Sequence, residues 1–281
     1  MKKRSIIRWK TRQAGLCMEK ALLFFDIDGT IIDSDGLIPA STVRALKAVQ
    51  QAGALCFVNT GRPFGHIDRH IKELGFDGYV CSCGQHIEFE GKTVLHEGFS
   101  IEESHEIAAL NRRCGLDSLY ESESGLWLDF NGPLPDTIRS DRNRFDSYGL
   151  STHGSVTDPS FRFDKFCIFE TDHSDLKTFL GFINDKCTVI DRGREHFYEC
   201  IRKGYSKQTG ILYVRSMLNI PADNCFAFGD GPNDLPMLQS VLHSVAMAEA
   251  PDSVKAVCEY VTSGFYDDGI EKALLHYGLI R

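Results

Sequence analysis

The sequence predicts an α/β fold, a doubly wound parallel sheet with a second, α+β domain inserted into it. Three observations carry this. Near the start, apolar runs of strand length alternate with segments of helical period. The same alternation returns from about Lys207 to the end. The stretch between follows a different pattern and opens on a hairpin signal.

Taken in order, Ala21 to Ile27, Ala54 to Asn59 and Tyr79 to Ser82 read as strands, with helices over Thr42 to Gln51 and Phe64 to Leu74 between them. That is a βαβαβ unit. The late pattern is a helix at Lys207 to Leu218, a strand at Cys225 to Gly229, a helix at Asp234 to Ser240 and a strand at Ser244 to Met247. A short helix, a strand at "YVT" and a last helix follow. In the middle, "HIEFEGKTVLHEGF" predicts a hairpin turning at Glu90 to Lys92. A helix from about Ile101, strands near Ser118 to Glu121 and Leu126 to Phe130, and a helix and strand pair ending at Phe163 to Glu170 come next. Strands around Cys187 to Ile190 and Phe197 to Ile201 lead back. The expected domains are a core of residues 18–83 and 197–281 and an inserted domain of residues 84–196. The crossings between them fall near Cys83 to Gly84 and Gly193 to His196. Residues 1–17 read as a basic extension outside the fold, with Met18 as an alternative start.

A chain of 281 residues, 42% hydrophobic and 25% charged, has the composition of a soluble globular protein and excludes a collagenous or disordered one. Its ten cysteines stand mostly singly inside apolar runs, with no CxxC pattern. They read as reduced, buried thiols of a cytoplasmic protein. Cys81 and Cys83 lack a second pair to complete a four-ligand metal site. The net charge is −8, and the six basic residues of the first seventeen leave −14 for the rest. A body that acidic repels nucleic acid and anionic membranes. No stretch is long enough to span a bilayer, and the basic leader lacks the apolar region of a secretory signal. A small molecule is the expected partner, and a monomer or weak homodimer the expected state.

In open α/β sheets ligands sit beyond the carboxyl ends of the strands, so strand-terminal residues identify the site. The first strand ends in Asp26-Ile27-Asp28-Gly29-Thr30, the second in Asn59-Thr60-Gly61-Arg62, and a late one in Gly229-Asp230-Gly231-Pro232-Asn233-Asp234. Together they offer four carboxylates, a hydroxyl and glycine-flanked amides at one sheet edge. Such a cluster is self-repulsive without a cation. Oxygen ligands with water suit Mg²⁺. On spacing alone this is an acidic metal site.

The segments "DIDGT", "VNTGRP", "KGYSKQTGI", "FGDGPNDLPML" and "VAMAEAPDSVKAVCEYVT" followed by "DDGI" resemble the haloacid dehalogenase (HAD) superfamily of phosphohydrolases, and within it the Cof-type (IIB) branch. The resemblance spans nearly all of Met18 to Arg281. It implies a Rossmann-like HAD core with an inserted C2B cap and an Mg²⁺-dependent phosphatase that hydrolyses a small phosphate monoester, such as a sugar phosphate or related metabolite, through an aspartyl-phosphate. By the same resemblance Asp26 is the nucleophile and Asp28 the general acid and base, with its carbonyl left for the metal. Thr60, Gly61, Lys207 and Asn233 bind phosphate, with Lys207 chosen over Lys203 because it follows the Ser of "KGYSK". Asp26, Asp28, Asp230 and Asp234 serve the metal, Asn233 and Asp234 acting from its outer shell or through water. Arg62, Cys83, Gly84 and Lys165 are candidate substrate contacts. Cys83-Gly84-Gln85 stands where the family pattern reads Asn-Gly-Ala, and Met247-Ala248-Glu249-Ala250 where it reads Met-Gly-Asn-Ala. Both departures bear on the substrate rather than the chemistry, and an acid at Glu249 would disfavour highly anionic substrates.

Two other classes share parts of this pattern. A phosphorylatable signalling module needs no acid two residues after its nucleophile and no inserted domain. A phosphosugar mutase of the same superfamily shares every motif. His66 and His70, at i and i+4, read as a solvated helix face, since "HIDRH" lacks the metalloprotease base. Trp127 and the phenylalanines of "RFDKF" read as core.

Overall fold

The computed structural model describes residues 20–134, 138, 151–152, 154–191 and 196–281; the basic extension and residues 193–195 of the second crossing lie outside them. The chain divides into two compact units. The first holds residues up to 59, residues 73–78 and residues 211–281; the second holds residues 60–72 and 79–210.

In the first unit β1 (Leu22–Phe25), β2 (Leu55–Asn59), β12 (Cys225–Gly229), β13 (His243–Ala246) and β14 (Tyr260–Val261) lie in the order β14-β13-β12-β1-β2. Every pair is parallel. The chain winds outward from β1 to β2 on one side and from β12 to β14 on the other, so the order reverses between β1 and β12. That is the topological switch point, where a doubly wound sheet leaves a crevice. Leu22 to Phe25 and Cys225 to Gly229 are buried throughout, as helices covering both faces of a parallel sheet require. Phe25 and Phe228 are register partners, with rings stacked 4.5 Å apart. α1 (Ala40–Gln51) buries Thr42, Ala45, Leu46 and Val49, the helical stripe expected from the sequence.

In the second unit β3 (Gly78–Cys81), β4 (His86–Phe89) and β5 (Lys92–His96) are neighbours in that order, and β4 and β5 form the expected hairpin. Its turn uses Glu90 at φ 49 and Gly91 at φ 72, left-handed positions of the kind that favour the hairpin twist. A separate six-stranded sheet has the order β10-β11-β9-β6-β7-β8. Its strands are β6 (Asp117–Ser122), β7 (Gly125–Asp129), β8 (Ser151–Thr152), β9 (Lys165–Phe169), β10 (Cys187–Asp191) and β11 (Phe197–Arg202). An aromatic core of Tyr120, Trp127, Phe161, Phe163, Phe166 and Phe179 lies against it. Trp127 and the phenylalanines of "RFDKF" therefore belong to the core, as expected.

The helix expected over Phe64 to Leu74 is not continuous. A 3₁₀ turn covers Phe64–His66, Ile67 is extended, and a short helix, α2, covers Arg69–Lys72. Gly65 packs so closely on the Glu123 carbonyl that a Cβ there would collide with it, so only glycine fits this turn. The late helix also begins differently, as a 3₁₀ turn over Pro232–Asp234. Of the nine described cysteines eight are buried and none is in a disulfide. No helix among the described residues is long and apolar enough to cross a membrane.

Candidate active site

The first unit carries the acidic group. Asp26 follows β1 and Asp230 follows β12, on either side of the switch point, and the Asp26 amide donates to the Phe228 carbonyl at 3.0 Å. Asp26, Asp230 and Asp234 each offer an oxygen, and these lie within 4.8 Å of one another. Asp26 and Asp234 are buried. Asp234 Oδ2 accepts from the amides of Asp230 and Gly231, both at 3.0 Å, which aims the carboxylate back across its own loop. Thr30 Oγ1 donates to Asp230 Oδ1 at 2.9 Å, a role the sequence pattern did not assign.

The loop after β1 explains its glycine. The amides of Thr30, Ile31 and Ile32 all converge on the Ile27 carbonyl. Gly29 adopts φ +81, and a Cβ there would collide with the Asp230 carboxylate. Only a residue without a side chain lets the two loops close. Asp28 is exposed and stands outside the group of three carboxylates, while its neighbours hold the turn. Asn233 is half-buried in the 3₁₀ turn after Gly231, against which its Oδ1 packs. Glu249 turns to the chain's own backbone, its Oε1 accepting from the Phe265 amide at 2.9 Å.

The second unit gathers the other candidates. Thr60 is buried, its hydroxyl accepts from the Arg62 amide at 3.1 Å, and its carbonyl accepts from the Cys83 amide at 3.1 Å. Ser82 and Cys83 are both left-handed, at φ 47 and 53, so the loop after β3 folds back on the loop after β2. Arg62 Nη1 pairs with Asp68 Oδ2 at 2.9 Å. A Cβ at Gly84 would collide with the Ser206 carbonyl, which places Gly84 against the start of α3 (Lys207–Leu218). Lys207 opens that helix and is 2% exposed. Gln85, where the family pattern has Ala, ties the loop down: its Oε1 accepts from the Arg202 amide at 2.9 Å and its Nε2 donates to the Asp164 carbonyl at 2.5 Å.

Lys165 is buried between two acids the sequence reading missed. Its Nζ is 2.5 Å from Glu199 Oε1 and 3.2 Å from Glu121 Oε1, and Glu121 is its direct cross-strand partner. His66 Nδ1 lies 3.6 Å from Glu121 Oε2. His66 is 1% exposed, which corrects the solvated-face reading; His70 alone is exposed. A Cβ at Gly61 would lie 3.5 Å from Cys83 Sγ, 3.7 Å from Glu199 Oε1 and 3.9 Å from Lys165 Nζ. The polar ends of this cluster thus face the Gly61 backbone. Burial pushes the Glu121 carboxyl up, but the Lys165 ammonium and His66 outweigh it and hold it down, to about 2. Burial likewise disfavours the charged Lys165, and Glu121 and Glu199 overcome it, keeping the ammonium protonated well above its ordinary range.

A family model of haloacid dehalogenase-like hydrolases matches residues 23–274. The putative phosphatase YkrA of Bacillus subtilis (strain 168) is 29% identical over 269 residues, covering 94% of this chain and all of that one. A protein from Geobacillus kaustophilus HTA426 superposes with a TM-score of 0.80 at 25% identity, over 93% of this chain and all of its own. The HAD subclass IIB sugar phosphatase BT4131 superposes with a TM-score of 0.76 at 29% identity, over the same shares. The chain belongs to the haloacid dehalogenase-like hydrolases. Within them it is a Cof-type enzyme of the phosphatase class.

Two outcomes follow from this geometry. Gly29→Ala should cost about 1–2 kcal/mol from its left-handed backbone alone, and more from displacing Asp230, as read by urea denaturation. An unchanged midpoint would show that the loops do not close as described. Glu121 has its carboxyl held below its unfolded value, so its stabilisation is complete above about pH 4.5 and fades as the pH falls toward 2. Denaturation at pH 6 and pH 3 should show a larger acid loss in the native chain than in Glu121→Gln. Equal losses would remove Glu121 from the acid transition.

Proposed function

We propose that the protein is an Mg²⁺-dependent phosphatase that hydrolyses a small phosphate monoester, such as a sugar phosphate, through an aspartyl-phosphate on Asp26. The observation that carries this reading is the grouping of the Asp26, Asp230 and Asp234 carboxylates at the switch point. Three mutually repelling acids with only oxygen donors fit a hard divalent cation, and Mg²⁺ takes such ligands together with water. Asp26, Asp230 and Asp234 would hold the ion, with the Asp28 carbonyl. Bound there, it would neutralise charge between the anionic nucleophile and the anionic ester.

Asp26 attacks phosphorus, the bond to the leaving oxygen breaks, and Asp28 supplies the proton that oxygen takes. Asp28 then removes a proton from water, the water oxygen bonds to phosphorus, and the bond to Asp26 breaks to give inorganic phosphate and a restored carboxylate. The exposure of Asp28 suits a group that must reach both a leaving oxygen and water. Thr60, the Gly61 amide and Lys207 bind phosphoryl oxygens, with Asn233 assisting. Lys207 opens a twelve-residue helix, whose N-terminal amides favour an anion. The insertion acts as a cap that selects the ester, with Lys165, Arg62 and the Cys83 to Gly84 loop as contacts to the leaving group. Sugar phosphatase activity in a solved relative at 29% identity supports that substrate class.

A phosphosugar mutase would use the same carboxylates, and product analysis with a hexose phosphate separates isomer from free phosphate. The mechanism is tested at its two acids. Asp26→Asn should abolish phosphate release while leaving the fold intact; retention of more than a few per cent would exclude nucleophilic attack by Asp26. Asp28→Asn should slow an alkyl phosphate far more than p-nitrophenyl phosphate, whose leaving group needs little protonation. Equal losses would point to a metal or structural role.

A further inference from the structure

We infer that the second unit carries a transition-metal site built from His86, His96 and Glu123, separate from the acidic group. One donor atom from each lies within 4.8 Å of the others. The residues come from three elements: His86 from β4, His96 from β5 as its register partner, and Glu123 from the turn between β6 and β7. Their imidazoles are stacked, 4.2 Å apart and 12° from parallel.

The surroundings are those of metal-ligating histidines. Each imidazole has one nitrogen already engaged by a carboxylate. His86 Nε2 meets Glu88 Oε1 at 2.7 Å, and Glu88 is further held by the Thr93 hydroxyl. His96 Nε2 meets Asp164 Oδ1 at 2.8 Å. A carboxylate behind a histidine fixes the tautomer and leaves Nδ1 as the ligand atom. The His86 Nδ1 is fully buried and meets no hydrogen-bond partner in the protein, and His86 as a whole is 0% exposed. A buried, unpartnered imidazole nitrogen is costly unless something binds it. The backbone is shaped around these groups: a Cβ at Gly98 would collide with Asp164 Oδ1, and one at Gly65 with the Glu123 carbonyl.

Two nitrogens and a carboxylate oxygen suit a borderline ion of the zinc class better than Mg²⁺. For tetrahedral Zn²⁺ with bonds of about 2.1 Å the donors must close to roughly 3.4 Å, so binding would require the stacked rings to turn until both nitrogen lone pairs meet the ion and the exposed Glu123 to swing in. His96, Glu123 and Asp164 also line a cavity of about 660 Å³, which gives the ion access and room for water as a fourth ligand. Bound there, the ion would staple the β4–β5 hairpin to the β6–β7 turn.

The test is equilibrium binding of Zn²⁺ to the full chain in millimolar Mg²⁺, with Co²⁺ absorption as a readout of nitrogen ligation and circular dichroism as a check on folding. One Zn²⁺ should bind. His96→Ala and Glu123→Ala should each weaken it at least tenfold, Asp164→Asn should weaken it about 10–100-fold, and Asp26→Asn should leave it in place. Absence of binding, binding lost with Asp26→Asn, or an affinity indifferent to both His96→Ala and Glu123→Ala would overturn the site.

Discussion

Three carboxylates that repel one another are held together where the parallel sheet reverses its order, and the local structure of the first unit is arranged around that constraint. At the observed separation each like pair is worth about 3 kcal/mol of repulsion at an effective dielectric of 20. The amides of Asp230 and Gly231 and the hydroxyl of Thr30 donate to Asp234 and Asp230, each worth about 1.5–3 kcal/mol to a charged acceptor. These donors orient the Asp230 and Asp234 carboxylates. Under the proposed function a divalent cation held by these acids would offset their mutual repulsion. The glycines serve the same end, since a side chain at Gly29 or Gly229 would push into Asp230 or Asp234.

The first unit was legible because its signals are local. Strand-length apolar runs followed at once by Asp, Gly and Thr fix both the strand and its end, and parallel pairing then brings separate strand ends to one edge. Asp26 and Asp230 are 204 residues apart in sequence, yet each was identifiable from its own strand terminus. The misread helix over Phe64 to Leu74 had the right apolar spacing. The chain there instead makes a long-range contact, Gly65 against the turn at Glu123, which no local pattern contains.

The polar interior of the second unit was harder to foresee. Glu121, Lys165 and Glu199 sit in three strands, and only the antiparallel register places Lys165 opposite Glu121 and beside Glu199. The available signal was a single charge inside or bordering an apolar run, as in "KFCIF" and "FYECI", which in a buried strand demands an opposite partner. His66 follows the same logic: burial came from the turn that replaced its expected helix. Gln85 and Glu249, departures from the family pattern, turned out to bind backbone groups, Gln85 bracing the loop that bears Cys83 and Gly84.

The account depends on Asp26 becoming covalently phosphorylated, and that is open to direct chemical trapping. In Asp28→Asn, which by the proposed mechanism would lack the base for the second step, brief reaction with p-nitrophenyl phosphate and Mg²⁺, followed by borohydride reduction and peptide mass spectrometry, should find homoserine at position 26 and at no other aspartate. Reduction at a different aspartate, or none anywhere while p-nitrophenol is released in a burst, would contradict it.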